Sequence, residues 1–120
     1  MAPMSKEAHG GPAAGEPRLH LVTHPVEGAA AFARRLVEAR LAACVNLLPA
    51  TSVYRWEGEV QEDAEVLLVA KGRAGSLPAL LAFLEEHHPY DVPECVSLAP
   101  DGVAPSYLAW WLGSTEEPDA

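Results

Sequence analysis

Hydrophobic and polar positions change rhythm along this chain, and the changes mark its elements. Residues 18–23 (R-L-H-L-V-T) predict a short strand. His24 and Pro25 are expected to end it, because a proline ring biases the residue before it towards extended or turn geometry. Ala29, Phe32, Ala33, Leu36 and Val37 then fall on one helical stripe, with Arg34, Arg35 and Glu38 off it. Residues 43–48 predict a second strand. Pro49 should interrupt it, which places the strand at an edge or a bend. The chain resumes over 51–56 and turns at Glu57 and Gly58, where glycine supplies the positive φ of a tight hairpin. The return strand, 59–71, is polar at first (Gln61, Glu62, Asp63, Glu65) and then apolar without alternation over 66–70. One end should be solvated and the other buried on both faces, so the hairpin should project beyond the sheet.

After a loop at 72–76, Ser76 is a candidate N-cap and Pro78 fits a first turn. Leu77, Leu80, Leu81 and Leu84 form a second stripe, expected to stop near His87 because Pro89 follows His88. Residues 92–98 predict the last strand. Ser106 is a candidate cap for a short third helix carrying Tyr107, Trp110 and Trp111, which Gly113 can end. The order β-α-β-β-α-β with one more helix predicts an α+β, ferredoxin-like sandwich. Right-handed crossovers place the first and third strands in the centre and the other two on opposite edges. Cys44 and Cys95 then lie too far apart to bond. Residues 1–17 read as a flexible tail, 18–113 as one folded domain and 114–120 as an acidic tail.

Composition narrows the function. Hydrophobic residues make up 49% of the 120, enough for a packed core. No apolar run is long enough to span a membrane, no secretory leader is visible, and a cytoplasmic protein with reduced thiols is expected. The net charge of −9, from 17 acidic and 8 basic residues, repels phosphate backbones and argues against nucleic acid as a partner. The third strand offers no stacking aromatics for RNA. The loop after the first strand holds neither C-x-x-C nor an arginine-bearing anion loop, and no nucleophile elbow or Walker loop occurs. Cys95 beside Glu94 is the one nucleophile near titratable groups, with no base and orienting group in view, so no enzyme is expected.

What remains is H-H-P-Y-D-V-P-E at 87–94. His87, His88, Tyr90, Asp91 and Glu94 fall within eight residues, and imidazole with carboxylate suits copper, zinc or nickel. The structural alternative is that two histidines simply finish a helix, where positive charge is favourable. His20 reads as a surface or edge position, His24 as a turn residue, and His9 as part of the tail. Lys71 can point into a cleft or end a solvated strand. Tyr54 and Trp56 suggest a protein contact or packing on the chain's own helix. Trp110 and Trp111 read as packing residues or as a contact between subunits.

The segments A-R-R-L-V-E-A-R-L-A-A-C-V-N (33–46), Y-R-W-E-G (54–58), E-V-L-L-V-A-K (65–71), H-P-Y-D-V-P-E (88–94) and Y-L-A-W (107–110) occur in this order. Together they resemble the CutA family of divalent-cation tolerance proteins, from about Leu19 to Leu112. The resemblance implies a tight homotrimer in which the hairpin reaches over a neighbour and strand edges pair between subunits. It implies a role in tolerance of copper and other divalent cations, with no required cofactor and with copper or zinc as candidate ligands. Some members bind copper through a first-strand cysteine and residues matching His87 and Glu94, with His88 adjacent. Val22 stands in the cysteine position, which removes the soft thiolate that favours Cu(I). His24 could substitute only if the first strand continued through Pro25, which is not expected. The likeness to PII-type trimers suggests an alternative, a signalling module with Lys71, Tyr90, Trp56 and Tyr107 lining an anion cleft.

Overall fold

A computed structural model describes residues 15–116. Residues 1–14 of the expected N-terminal tail and 117–120 of the acidic tail lie outside the described residues. The elements run β1 (Pro17–Pro25), α1 (Ala29–Glu38), β2 (Cys44–Trp56), β3 (Glu59–Arg73), a 3-10 turn (Ala74–Ser76), α2 (Leu77–His87), β4 (Val96–Leu98) and α3 (Pro105–Ser114). The sheet order is β2-β3-β1-β4 and every pairing is antiparallel. The expected centre and edges are therefore as found.

The core lies between one sheet face and the first two helices. Val22, Leu68 and Ala70 of the sheet meet Phe32 and Leu36 of α1 and Leu80 and Leu84 of α2. Val37 and Leu81 leave their expected stripes and are exposed. Each follows a buried leucine by one residue, about 100° further round the helix.

The first strand corrects two expectations. It continues through His24 to Pro25, which pairs with Glu65. A proline at a strand's last position forfeits only one donor, so pairing survives. Alternation then puts His20, Val22 and His24 together beneath the helices. His20 is not at an edge or surface: it is 0% exposed on a central strand.

The second strand runs unbroken through Pro49, which pairs opposite Val66. An edge strand tolerates proline because a missing donor can face outward. The hairpin turns with φ of 52° at Glu57 and 84° at Gly58, two positive values as a type I′ turn requires. Its outer half stands clear of the helices, leaving Val53, Tyr54, Trp56 and Val60 exposed. The inner half of β3 is less enclosed than expected. Leu68, Ala70 and Gly72 are buried under the helices, while Leu67, Val69 and Lys71 are half-buried on the other face. The last strand is three residues rather than seven, and Pro93, which cannot donate, stays in the loop before it.

The third helix begins with Ala104 as N-cap and Pro105 at its first turn, so Ser106 is not the cap. Trp111 is buried at 2% exposure and donates its indole N–H to the Gly72 carbonyl at 2.9 Å, while Trp110 is exposed. Arg73 donates to the Thr115 hydroxyl at 2.8 Å and to the Leu112 carbonyl.

Gly72 sits where β1, α3 and the turn after α1 converge. A Cβ there would lie 2.6 Å from the Leu41 carbonyl oxygen and 3.0 Å from the His20 ring. We expect Gly72→Ala to lower stability by about 1–3 kcal/mol through overpacking, read as a fall in urea midpoint. An unchanged midpoint would show that the Leu41 turn yields freely.

Candidate functional site

The 87–95 segment leaves α2 and folds back on the sheet. His88 adopts extended geometry (φ −80°, ψ 140°), as a residue before proline prefers. This turns its ring inward while His87 remains at the helix end. The His88 Nε2–H donates to the Thr23 carbonyl at 2.8 Å, and its Nδ1 accepts the Tyr90 backbone N–H at 3.1 Å. Both nitrogens are thus occupied. Burial pulls the ring pKa down and the nearby His24 adds to this, against the opposing pull of the Thr23 carbonyl and Glu65.

Tyr90 donates its hydroxyl to Glu65 Oε2 at 2.6 Å. Burial first, and that bond second, push the phenol pKa far above its usual value. His24 donates Nδ1–H to the Pro25 carbonyl and packs against Phe32 and His88 at ring separations of 4.9 and 5.1 Å. The result is a closed knot of His24, Glu65, His88 and Tyr90. His24 and Glu65 were not legible as members, because the first strand was expected to stop short. Its continuation puts Pro25 opposite Glu65 and brings both in.

His87 is half-buried against Phe83, at a ring separation of 4.6 Å, and Arg35 donates to its Nδ1 at 3.0 Å. Its Nε2 lies 3.7 Å from Glu86. Glu94 is exposed in the loop before β4. Among the described residues, no three His, Cys, Asp or Glu side chains gather as a metal site. His88 has no free lone pair, and Val22 is enclosed in the core. The described residues of one chain therefore do not build a complete metal cage. His87 and Glu94 remain as donors that reach the surface.

A cleft of about 660 Å³ lies between α2 and the 88–95 loop, lined by Leu81, Glu85, Tyr90, Asp91, Pro93 and Cys95. Burial, and then Glu94, push the Cys95 thiol pKa up, the reverse of an activated nucleophile.

The four candidate cleft residues divide into three places. Tyr90 belongs to the histidine knot and Trp56 to the hairpin end. Lys71 and Tyr107 stand together, the ammonium 5.7 Å from the ring centroid. Lys71 also donates to Asn46 Oδ1 at 2.6 Å and lies 3.8 Å from Cys44 Sγ. Positions 44 and 46 share a sheet face with 71 because Cys44 pairs opposite it. The strand register is the signal that could have found them.

Sheet order, crossovers and an added C-terminal helix define a ferredoxin-like α+β protein. The family model for the CutA1 divalent ion tolerance protein matches residues 19–114. The chain belongs to that family. It is 48% identical over 97 residues to the divalent-cation tolerance protein CutA of Thermus thermophilus, covering 79% of this chain and 94% of that one. It is 46% identical over 97 residues to the mouse protein CutA, again over 79% of this chain. This chain spans only about half of the mouse protein's length, 55%. A solved structure of the PII-like protein CutA from Nostoc is 37% identical, with a TM-score of 0.77 over 82% of this chain and 97% of that one.

Proposed function

We propose that this protein works as a cytoplasmic homotrimer in tolerance of divalent cations, without catalysis. Membership of the divalent ion tolerance family supports the cation role, and the observation that carries the assembly is the uncovered face of the sheet. Leu19, Leu21, Leu67 and Val69 are half-buried there, and Leu48, Val96 and Leu98 are 45%, 46% and 46% exposed. Both sheet edges, β2 and β4, lack a partner strand among the described residues. Monomers rarely leave so much apolar surface and strand edge open. The edges differ, thirteen residues against three. Pairing one with the other is heterologous and closes as a ring, not as a two-fold dimer. A sedimentation mass three times the 12.8 kDa chain is expected, and a single-chain mass at micromolar concentration would refute the assembly.

The cation is cargo to which the trimer responds, not a resident cofactor. His87 and Glu94 are the donors, and copper or zinc suits them. Because Arg35 already donates to His87, a metal must displace a guanidinium, so binding is reversible and modest. Calorimetric titration of the tag-free trimer with Cu(II) or Zn(II) checks this. His87→Ala with Glu94→Ala is expected to weaken binding about tenfold or more, roughly 1.4 kcal/mol. Equal affinity in wild type and double variant would sink the assignment.

Lys71 beneath Tyr107 favours a second reading, a PII-like module that takes a small anion. A thermal-shift screen of anions checks it, and ligand at 100 times its Kd should add about 2.7 kcal/mol.

A further inference from the structure

His20 lies fully enclosed on the central strand β1, and neither the cation reading nor the anion reading uses it. Neither ring nitrogen has a well-formed hydrogen bond among the described residues, and the Arg73 backbone offers only a weaker polar contact. A ring enclosed in this way is tolerated neutral and is costly to charge.

Its neighbours are the residues that hold α3. Gly72 packs directly on the ring, since a Cβ at position 72 would lie 3.0 Å from His20 Nε2. Trp111 donates its indole N–H to the Gly72 carbonyl, and Arg73 donates to the Thr115 hydroxyl and the Leu112 carbonyl at the helix end. The helix packs on β1 and β3, and Trp111 is its only buried residue. It therefore rests on one ring and a few bonds, while β3 is paired along both sides with β1 and β2. Elements held by so few buried contacts open before the paired strands do.

No counter-ion waits for a charged His20 among the described residues. Arg18, on the same strand, adds positive charge and is itself paired with Glu16 at 3.3 Å. The turn after α1 brings the Leu41 carbonyl and an exposed Arg40. Ser97 stands opposite on β4. The helices α1 and α2 turn Leu36, Leu80 and Leu84 inward, and α3 brings no carboxylate, lysine, arginine or histidine.

We infer that His20 is a proton-operated latch for α3: the neutral ring lets the helix close on Gly72 and Arg73, and a proton on the ring favours the helix lifted away with His20 in water. This goes beyond both functional readings and depends on neither. Burial first, and Arg18 second, lower the pKa of the closed ring. The open state therefore takes up a proton first as pH falls below the ordinary histidine value of about 6.5. Opening becomes easier by up to about tenfold per pH unit, until the closed ring titrates as well. Release carries Trp111 off Gly72 and Tyr107 off Lys71, while the strand ladders persist.

Amide hydrogen exchange of the assembled full chain, corrected for intrinsic rates, tests the latch between about pH 7 and pH 5, the range around the ordinary histidine value. Protection of Leu108 to Ser114 is expected to fall severalfold, up to about tenfold per unit, while Leu68 and Ala70 in β3 stay protected. His20→Gln stays polar but cannot take the charge, and His20→Leu removes the polar atoms altogether. In either variant α3 protection should stay constant over the range, whereas His88→Gln should keep the wild-type response. Protection lost equally in α3 and β3 would show whole-chain unfolding and overturn the latch. So would an α3 response that survives in both His20 variants, or α3 protection that does not change with pH in the wild type.

Discussion

Replacing Trp111 with alanine is expected to cost about 3–5 kcal/mol, the range for truncating a large buried aromatic. Trp111 is the only buried residue of α3. Its ring fastens the helix to the sheet, and its indole N–H satisfies the Gly72 carbonyl. The alanine variant loses both the packing and the donor. Trp111→Phe keeps most of the buried ring and loses the hydrogen bond, so about 1–3 kcal/mol is expected for the orphaned carbonyl. Urea unfolding at one fixed protein concentration separates the two effects, since assembly makes stability concentration-dependent. An alanine variant within 1 kcal/mol of wild type would mean that neighbouring copies, rather than Trp111, hold α3 down.

The strand order was readable because it follows from the element sequence and crossover handedness, and both are local signals. The hairpin was readable because polar alternation changes to an apolar run within β3, and Glu57 and Gly58 mark the turn. Proline effects were overestimated. Pro25 and Pro49 lie inside β1 and β2 because one is a terminal strand residue and the other is on an edge, a distinction composition does not carry. The error mattered for the site. Stopping β1 before His24 hid the contact between His24 and His88 and left Glu65 unconnected to Tyr90. Lys71 and Tyr107 were picked separately as candidates, and the structure brings them together. Tyr90 and Trp56, picked with them, lie elsewhere, because aromatic composition does not say which face a residue joins. His87 and Glu94 came from one motif, but His87 packs on Phe83 and Arg35 while Glu94 lies exposed in the loop before β4, a placement that spacing does not determine.

Acidification is expected to destabilise the protein progressively below about pH 6.5, the ordinary histidine pKa, through His20 and His88. His20 is 0% exposed, and neither ring nitrogen has a well-formed hydrogen bond among the described residues, the Arg73 backbone offering only a weaker polar contact. Burial is the largest influence lowering its pKa and the Arg18 charge is the second, while the Arg73 backbone pulls in the opposite direction. His88 is shifted the same way, again chiefly by burial. A lowered folded pKa means that the unfolded chain takes up protons first. Stability therefore falls as pH drops through the ordinary histidine value, and levels off below the folded pKa. Each unit of separation is worth about 1.4 kcal/mol. His20→Leu removes this proton uptake and also two buried, unpaired polar atoms. At neutral pH it should stabilise the protein by about 1–3 kcal/mol, and its stability should depend less on pH between 7 and 5. The measurement is urea unfolding across that range for wild type, His20→Leu and His88→Gln. A His20→Leu protein less stable than wild type at neutral pH would show that the ring makes a favourable polar contact. An unchanged pH slope in that variant, with a flattened slope in His88→Gln, would assign the acid sensitivity to the knot around His88 instead.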